Sequence, residues 1–595
     1  MLGSPSIVVD GEPVRGPRGR KTWALLALLV LLERPPSRQR LCRLLFPDAD
    51  DPLGALRWSL AELRRALGGS ETITGDPVTL SLPGGTSIDV DLLRGAPTNW
   101  LDVNEVPGEL LSGMSFAGCD AFETWLLVER RRLAASVEAI LHEQGLAKLG
   151  AGRPREAAQL AASLVELNPY EEGHHVLLVR SLAVSGERRA ASEAAAAASS
   201  MFRRELGVEP SPAIREAASA LPGVPSAPAS AGLAAARAQL EAGRAAISAG
   251  AVDAGIDCLR RCVDELRLAD DGALLVAALS ELGGALVHAV RGRDEEGAAV
   301  LHEAVERATG IDPGAAAKAF RELGFIDVQA GRRDRAAVWL ERARVRAGKS
   351  GDDAELAAVA GVEGMNLSDQ ARYPEALEVL TESVERALHT GSRRQAAWSS
   401  SLVGRLHFLR ENYDEADRAV SKSLQLVKSE RWLAFWPWPE AFSAELDMVH
   451  GREAVAEQRL AEAFALACQL GDPCWEGVTA RAIGLLEARR NPDLALTTLL
   501  DARSRCARWP DAYQWVHGYV LDAVCTVAVE TDCPNALATA NDLLGLAARA
   551  DMRELVSRAQ LHRASLGVPG ADEAAVLAGA EIDNPALRRA TSQTW

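Results

Sequence analysis

A turn signal recurs about every 40 residues through the second half of the chain, and this period constrains the fold more than any other feature. The turn markers, 39–42 residues apart, are Gly250, Gly292, Gly331, Ala371, Asn412, Gly451 and Asn491. From the second marker onward, an alanine follows each of them four to six residues later. Repeats of this length are typical of stacked helix pairs, each of which buries its apolar face on the next. The sequence therefore predicts a mainly α protein, with a tetratricopeptide-like α-solenoid over residues 233–570 and a carboxyl-terminal tail over residues 571–595.

The amino-terminal end of the chain carries a charge opposite to that of the rest. Residues 15–65 contain eleven Lys and Arg against five Asp and Glu, a net charge of +6, whereas residues 66–595 have a net charge of −21. A basic segment on an acidic chain is typical of a surface that meets phosphates. Double-stranded DNA is therefore the first partner to consider.

The cysteines and the apolar segments indicate a cytoplasmic protein. Nine cysteines occur without a CxxC pair, which argues against a zinc finger and against a disulfide framework. The apolar run from Ala24 to Leu32 is too short to span a bilayer, and no secretory cleavage site follows it. We expect a reducing compartment and no membrane association.

Residues 51–68, DPLGALRWSLAELRRALG, form a predicted helix with marked ends. Asp51 is a suitable N-cap, Pro52 fits the first helical position, and Gly68 supplies a stop. Leucines at spacings of three and four predict the buried face, which consists of Leu53, Leu56, Leu60, Leu63 and Leu67. This segment should form one amphipathic helix of a small domain.

The outer face of this helix is unusual for a solvated surface. Trp58, Glu62 and Arg65 lie opposite the leucine stripe, and Arg57 and Arg64 lie on one flank. Such a face suits a major groove, where arginines reach phosphates and base edges. A surface helix with a chance tryptophan is the alternative.

The elements around this helix follow the order of a winged helix-turn-helix. The predicted helices cover residues 21–32, 38–46 and 51–67. The predicted strands cover residues 6–9, 12–14, 71–74, 78–82 and 87–90. This order predicts a small α+β head over residues 1–95, whose third helix is the recognition helix.

Residues 18–68 resemble the DNA-binding head of the Streptomyces antibiotic regulatory protein family, which is related in fold to response-regulator winged helices. The matching positions include the leucine-rich first helix, Arg38 with Leu41, residues 55–57 (ALR) and residues 63–67 (LRRAL). The resemblance implies a transcriptional activator that binds double-stranded DNA. The chain departs from the family at Ala61 and Glu62, and its predicted wing, residues 66–93, carries no Lys or Arg.

The predicted DNA contacts fall into two groups. Trp58 and Arg65 are expected to face base edges. The side chains expected to neutralise phosphates are Arg20, Lys21, Arg38, Arg57 and Arg64.

Residues 96–222 form a second predicted domain, which is all helical. A long helix spans residues 122–148, and Gly152 and Gly186 then mark turns thirty-four residues apart, the tetratricopeptide period. The segments that resemble the bacterial transcriptional activator domain are residues 151–190 and 202–212. This second resemblance implies self-association as a homodimer and contact with RNA polymerase. A Pro-, Ser- and Ala-rich linker over residues 223–232 precedes the solenoid.

Tryptophans are frequent late in the solenoid, although the chain as a whole has a low aromatic content. Candidates for a groove that binds a small-molecule or peptide effector are Trp436, Trp438, Trp475, Tyr513 and Trp515. The alternative, which we favour, is that these large side chains close irregular repeats by packing.

No catalytic pattern stands out, and we expect neither an enzyme nor a cofactor nor a metal. Residues 343–350 satisfy a loose phosphate-loop pattern, but an amphipathic helix precedes them where a buried strand is required. His174 and His175 point about 100° apart on a helix. Cys258 and Cys262 share a helix face without further ligands, which is typical of buried small side chains.

The preferred prediction is a sequence-specific transcriptional regulator, an activator, whose repeat body mediates self-association and senses an effector or partner. The alternative is a tetratricopeptide scaffold that does not bind DNA and has a degenerate winged-helix head. Glu62 and the absence of Lys and Arg from the predicted wing favour that alternative. A regulatory ATPase would depend on Lys349 and is the least supported hypothesis.

Overall fold

In a computed structural model, the first 95 residues form helices flanked by two small antiparallel hairpins. The structure describes residues 1–95, 106–219, 233–269, 271–308, 311, 313–509 and 511–592. The strands of the head are β1 (Ile7–Val9), β2 (Glu12–Val14), β3 (Ile73–Thr74) and β4 (Thr79–Leu80). Its helices are α1 (Arg20–Leu31), α2 (Arg38–Leu45), α3 (Pro52–Ala66) and α4 (Asp89–Gly95). The predicted order of a hairpin, three helices and a second hairpin is confirmed.

The strand predicted over residues 87–90 is wrong, because α4 begins there instead. Asp89 opens this helix, and its carboxylate accepts hydrogen bonds from the amino terminus of Met1 and from the backbone N–H of Leu2. Val90 is buried. The acidic side chain at the helix start thus anchors the first residues of the chain to the head.

The ends and the buried face of α3 follow from its own sequence. The Asp51 carboxylate accepts a hydrogen bond from the Gly54 N–H at 2.8 Å, as an N-cap does. Leu56, Leu60 and Leu63 are buried, with at most 2% of each exposed. Leu53 was predicted to be buried as well, but half of it is exposed, because it lies in the first turn, before the stripe is covered.

The second predicted domain is mostly helical where the structure describes it, although residues 106–119 contain no helix. Its helices are α5 (Asp120–Gly150), α6 (Pro154–Leu167), α7 (Glu172–Val184), α8 (Arg188–Met201) and α9 (Pro212–Ala218). Val179, Ala191, Phe202 and Ile214 are among the residues of a shared apolar core for α7 to α9. The predicted linker over residues 223–232 lies outside the described residues.

The rest of the chain consists of stacked helix pairs, as the 40-residue period predicts. Helices α10 to α19 are Leu233–Ser248, Val252–Leu266, Gly272–His288, Asp294–Arg307, Ala317–Gln329, Arg333–Ser350, Asp353–Asp369, Tyr373–His389, Arg393–Leu409 and Tyr413–Ser429. Helices α20 to α28 are Pro437–Val449, Glu453–Leu470, Pro473–Ala488, Pro492–Cys506, Gln514–Glu530, Ala536–Arg549, Arg553–Ser565, Ala571–Gly579 and Pro585–Ser592. The mainly α fold class with a tetratricopeptide-like solenoid is confirmed.

The described residues divide into two compact units. We call residues 1–95, 106–137 and 524–592 the head unit, and residues 138–523 the repeat unit. The carboxyl-terminal helices therefore belong to the same unit as the amino-terminal head. Among the described residues, no helix combines the length and the apolar character that crossing a bilayer requires.

Polar contacts join the carboxyl-terminal helices to α1 and α2 within the head unit. The Arg40 guanidinium donates to the backbone carbonyl of Leu577 at 2.9 Å. Arg553 forms an ion pair with Glu33 at 2.6 Å. These contacts lie at the end of α1 and on α2 and leave the outer face of α3 uncovered.

Candidate nucleic-acid interface

The outer face of α3 presents two cations and an aromatic ring to solvent. The side chains of Arg57 and Arg65 are 66% and 68% exposed, and Trp58 is 51% exposed. Arg57 has a distant partner in Asp51, at 3.5 Å, and an exposed pair of this kind contributes little free energy. The donors of Arg57 are therefore exposed and weakly paired, so that they are available to a ligand. That Arg57, Trp58 and Arg65 contact DNA stays a prediction.

Glu62 turns inward, although the helical spacing placed it on the outer face. Its side chain is buried, accepts a hydrogen bond from the Arg18 N–H at 3.4 Å and forms an ion pair with Arg65. The hydrogen bond from Arg65 lowers the pKa of the Glu62 carboxyl. Glu62 therefore orients Arg65 and does not present a free negative charge at the surface of α3.

Arg64 supports the second hairpin from α3. Its Nε and Nη2 atoms both donate to the backbone carbonyl of Ile73 in β3, at 2.9 and 2.8 Å. The sequence predicted a phosphate contact for this residue. In the observed position two of the five N–H donors of Arg64 hold the hairpin, and its phosphate contact stays a prediction.

The remaining predicted phosphate contacts lie at the starts of α1 and α2. Arg38 donates from Nε to the Gly75 carbonyl at 3.3 Å, so it is held against the turn of the second hairpin. Lys21 lies over the ring of Phe46, with Nζ 5.3 Å from the centroid. Arg20 is exposed at the start of α1. The structure thus brings Arg20 and Lys21 to the end of α1 that lies near Trp58.

The aromatic residues predicted as a groove lie in the repeat unit and are mostly buried. Trp438, Tyr513 and Trp515 are 3–6% exposed, whereas Trp436 and Trp475 are half-buried. The Trp438 indole donates to the Ser401 hydroxyl at 3.1 Å, and the Trp475 indole donates to the Ala434 carbonyl at 3.0 Å. The three buried rings and these two indole hydrogen bonds favour the packing alternative.

A buried arginine that the sequence analysis missed lies among these rings. Arg405 is 0% exposed, donates to the Tyr513 hydroxyl at 2.9 Å and to the Asp369 carboxylate at 2.8 Å, and stacks on Trp515. Burial raises the pKa of Tyr513, so this phenol stays protonated and donates to Asp369. The sequence contained a signal for this burial. Arg405 follows Leu402 by three residues and therefore lies on the apolar stripe of α18.

His174 and His175 contact backbone carbonyls of the turn before their helix. A ring nitrogen of His174 lies 3.4 Å from the Asn168 carbonyl, and one of His175 lies 2.8 Å from the Pro169 carbonyl. Lys349 lies in the last turn of α15. Within the described part of the chain, no group of three or more His, Cys, Asp or Glu is arranged to hold a metal ion.

A comparison with known protein families concerns the segment that contains α5 to α9. Residues 94–221 match the bacterial transcriptional activator domain. The chain thus contains this activator domain, and tetratricopeptide-like helix pairs follow it. A comparison with curated proteins finds no match for the chain.

Solved structures that resemble the chain are helical proteins of low sequence identity. One is a Rap protein complexed with Competence and Sporulation Factor, with 10% identity, a TM-score of 0.46, and 60% of this chain and 99% of that chain covered. Aspartyl phosphate phosphatase F from Bacillus subtilis has 9% identity and a TM-score of 0.37, with 68% and 92% covered. Yeast Tom70 has 12% identity and a TM-score of 0.32, with 80% and 95% covered. These likenesses concern the fold alone.

Proposed function

We propose that the chain is a sequence-specific, DNA-binding transcriptional regulator of the activator type. The observation that supports this most directly is the outer face of α3, where Arg57, Trp58 and Arg65 are exposed opposite a buried leucine stripe. The activator domain at residues 94–221 supports the same conclusion independently. The proposal places the protein in the cytoplasm and assigns it no catalytic step.

In this proposal, α3 lies in the major groove of the duplex. Arg65 donates to guanine acceptors and Trp58 makes apolar contact with a thymine methyl group. Arg20, Lys21 and Arg57 neutralise phosphates and fix the register of the helix on the duplex. Base contacts thus give specificity, and phosphate contacts give affinity that depends on salt.

The activator domain is proposed to bring two chains together and to contact RNA polymerase. A dimer presents two α3 helices, and two recognition helices read half-sites spaced by about one turn of the duplex. We therefore expect the operator to contain repeated half-sites.

A gel-shift titration with the DNA upstream of the protein's own gene tests this proposal. The full chain should bind that DNA at least about 1,000-fold more tightly than a random duplex of equal length, at about 0.15 M salt. Arg65→Ala should reduce the discrimination between the two duplexes, because it removes a base contact. Equal affinity for both duplexes would contradict sequence-specific binding.

The second candidate function is a scaffold that binds another protein and no DNA. The absence of Lys and Arg from residues 66–93 favours it, because a wing of that composition has no cation for a phosphate. In the same gel-shift titration a scaffold would shift neither duplex. The two candidates therefore predict opposite results in one experiment.

A further inference from the structure

An open cavity of about 370 Å³ lies in the head unit, between the start of α1 and the middle of α3. Its volume falls within the range of small-molecule sites, about 300–1,000 Å³. The lining residues come from three segments, around Lys21, around Trp58 and around Phe116. The head therefore contains a concave site of ligand size beside the proposed recognition helix.

The charge at this cavity is positive. Arg20 and Lys21 both line it, and neither forms an ion pair with a carboxylate among the residues that the structure describes. The N-cap of α1 is Gly19, which has no side chain to accept from the amides of the first turn. The partial positive charge at the start of a helix adds to that of the two side chains and favours an anion.

A hydroxyl on the wall of the cavity adds a group that can form a hydrogen bond with a polar ligand. Ser59 lines the cavity and is 1% exposed, yet within the described part of the chain its hydroxyl makes no hydrogen bond. Because this hydroxyl has no partner within the described part of the chain, it is available to a group that enters the open cavity. The Thr22 hydroxyl, also on the lining, already donates to the Arg18 carbonyl at 2.7 Å.

Aromatic rings form the rest of the wall. Trp58, Phe46 and Phe116 line the cavity, and the ring of Phe116 is held in place by Phe122, edge to face at 4.9 Å between centroids. Flat apolar walls favour a ligand with a planar ring, because a bare inorganic anion would leave these walls exposed to water. The wall thus combines these rings with two cations and the Ser59 hydroxyl.

We propose that this cavity binds a small aromatic anion, a carboxylate or phosphate carried on a single ring. The anion pairs with Lys21 and Arg20 and accepts a hydrogen bond from Ser59, while its ring packs against Trp58. We further propose that the ligand competes with duplex DNA, because Arg20, Lys21 and Trp58 are shared with the proposed DNA contacts. This second part rests on the proposed function, whereas the ligand site stands without it.

Isothermal titration calorimetry on the full chain tests the ligand site with three probes of matched size or charge. Benzoate should bind with saturation. Benzamide, which has the same ring without the charge, and inorganic phosphate, which has the charge without the ring, should each bind at least about tenfold more weakly. Equal binding of all three probes, or no binding of benzoate up to 20 mM, would overturn the proposal.

Three variants locate the binding within the head. Lys21→Ala should weaken benzoate binding at least about tenfold, because it removes a charged donor. Ala55→Leu should weaken it by filling the cavity, and it provides a second test if Lys21→Ala does not fold. Arg15→Ala changes the same charge at an exposed position outside the cavity and should leave the affinity unchanged. If all three variants bind benzoate as the wild type does, the site lies elsewhere and the proposal is wrong.

Competition is measured by fluorescence anisotropy of a labelled duplex that the full chain binds. Benzoate should raise the apparent Kd for the duplex in proportion to its own occupancy, and Ala55→Leu should remove this effect. If benzoate binds but leaves the duplex affinity unchanged, the competition is disproved and the ligand site remains. If the chain binds benzoate and no duplex, the proposed function fails while the ligand site stands.

Discussion

Arginine and tryptophan have opposite surroundings in the two units. In the head unit, Arg57 and Trp58 lie on α3 with more than half of each side chain exposed. In the repeat unit, Arg405 and Trp515 are buried against each other, 4.2 Å apart, and the guanidinium is hydrogen-bonded to Asp369 and Tyr513. The same two residue types thus lie exposed on the helix that we propose binds DNA, and stabilise the fold where their donors are satisfied in its interior.

The largest effect is expected when the buried arginine is removed. Arg405→Ala leaves the Asp369 carboxylate buried with fewer partners, which should lower the free energy of unfolding by about 3–5 kcal/mol. Arg418→Ala is the matched control, because Arg418 is 72% exposed and pairs with Glu415, and it should change that free energy by less than about 1 kcal/mol. Urea denaturation of both variants measures the difference. Similar losses of unfolding free energy in the two variants would show that burial does not distinguish Arg405 from Arg418.

The two tryptophan environments can be compared in the same way. Trp438→Ala removes a ring that is 3% exposed and should cost about 3–5 kcal/mol of stability, because a cavity remains. Trp58→Ala should cost less than about 1 kcal/mol, since half of that ring already faces solvent. In a DNA-binding assay the order should reverse, with Trp58→Ala losing affinity and Trp438→Ala keeping it. An unstable Trp58→Ala variant with normal DNA binding would contradict the assignment of Trp58 to recognition and of Trp438 to stability.

Acid should weaken the repeat unit through its buried carboxylates. Burial alone would raise the pKa of Glu143, but the charges of His302 and Arg335, at 3.2 and 3.5 Å, outweigh it and lower this pKa to about 2. The pKa of Glu295 is also about 2, because the charge of His142 outweighs burial in the same way. A carboxyl group whose pKa is lower in the folded than in the unfolded protein stabilises the fold at pH values above its unfolded pKa. This stabilisation is lost as the pH falls through the folded pKa.

Glu143→Gln isolates this effect. At pH 5.5 the free energy of unfolding of the wild type should be higher than that of the variant by up to about 3 kcal/mol. At pH 3 this difference should be smaller by about 2 kcal/mol. Urea denaturation at the two pH values measures it. A difference that does not change with pH would contradict the assigned pKa of Glu143.

A smaller effect is expected at the start of α3. Asp51→Ala removes the N-cap hydrogen bond to Gly54 and should lower the free energy of unfolding of the head unit by about 1 kcal/mol. Asp51→Ser retains a capping oxygen without the charge and should restore most of that loss. Thermal denaturation monitored in the head unit distinguishes them, and an equal loss in both variants would argue for charge and against capping.

The features that the sequence predicts well are those that depend on neighbouring residues. The start of α3 follows from Asp51 and Pro52, which lie next to the helix, and its buried face follows from the spacing of Leu56, Leu60 and Leu63. The solenoid follows from a spacing of turn residues that repeats along the chain. At Gly331, for example, φ is +78°, a value at which glycine is favoured because it has no Cβ.

The features that the sequence does not predict depend on residues far apart in the chain. Glu62 turns inward because Arg18, 44 residues earlier, donates to it. Arg405 is buried because Tyr513, 108 residues later, lies beside it. Helical periodicity places each side chain on a face of its own helix, but it does not identify the neighbour that approaches that face.

The proposed function depends on α3 presenting its arginines to a duplex, and the salt dependence of DNA binding tests this most directly. The measurement is the association constant of the full chain for its upstream DNA over a range of salt concentrations, for the wild type and for Arg57→Ala. If Arg57 neutralises one phosphate, the slope of log K against log salt should fall in magnitude by about 0.9 in the variant. Arg418→Ala should leave the slope unchanged. An unchanged slope for Arg57→Ala would contradict the placement of α3 against the phosphates.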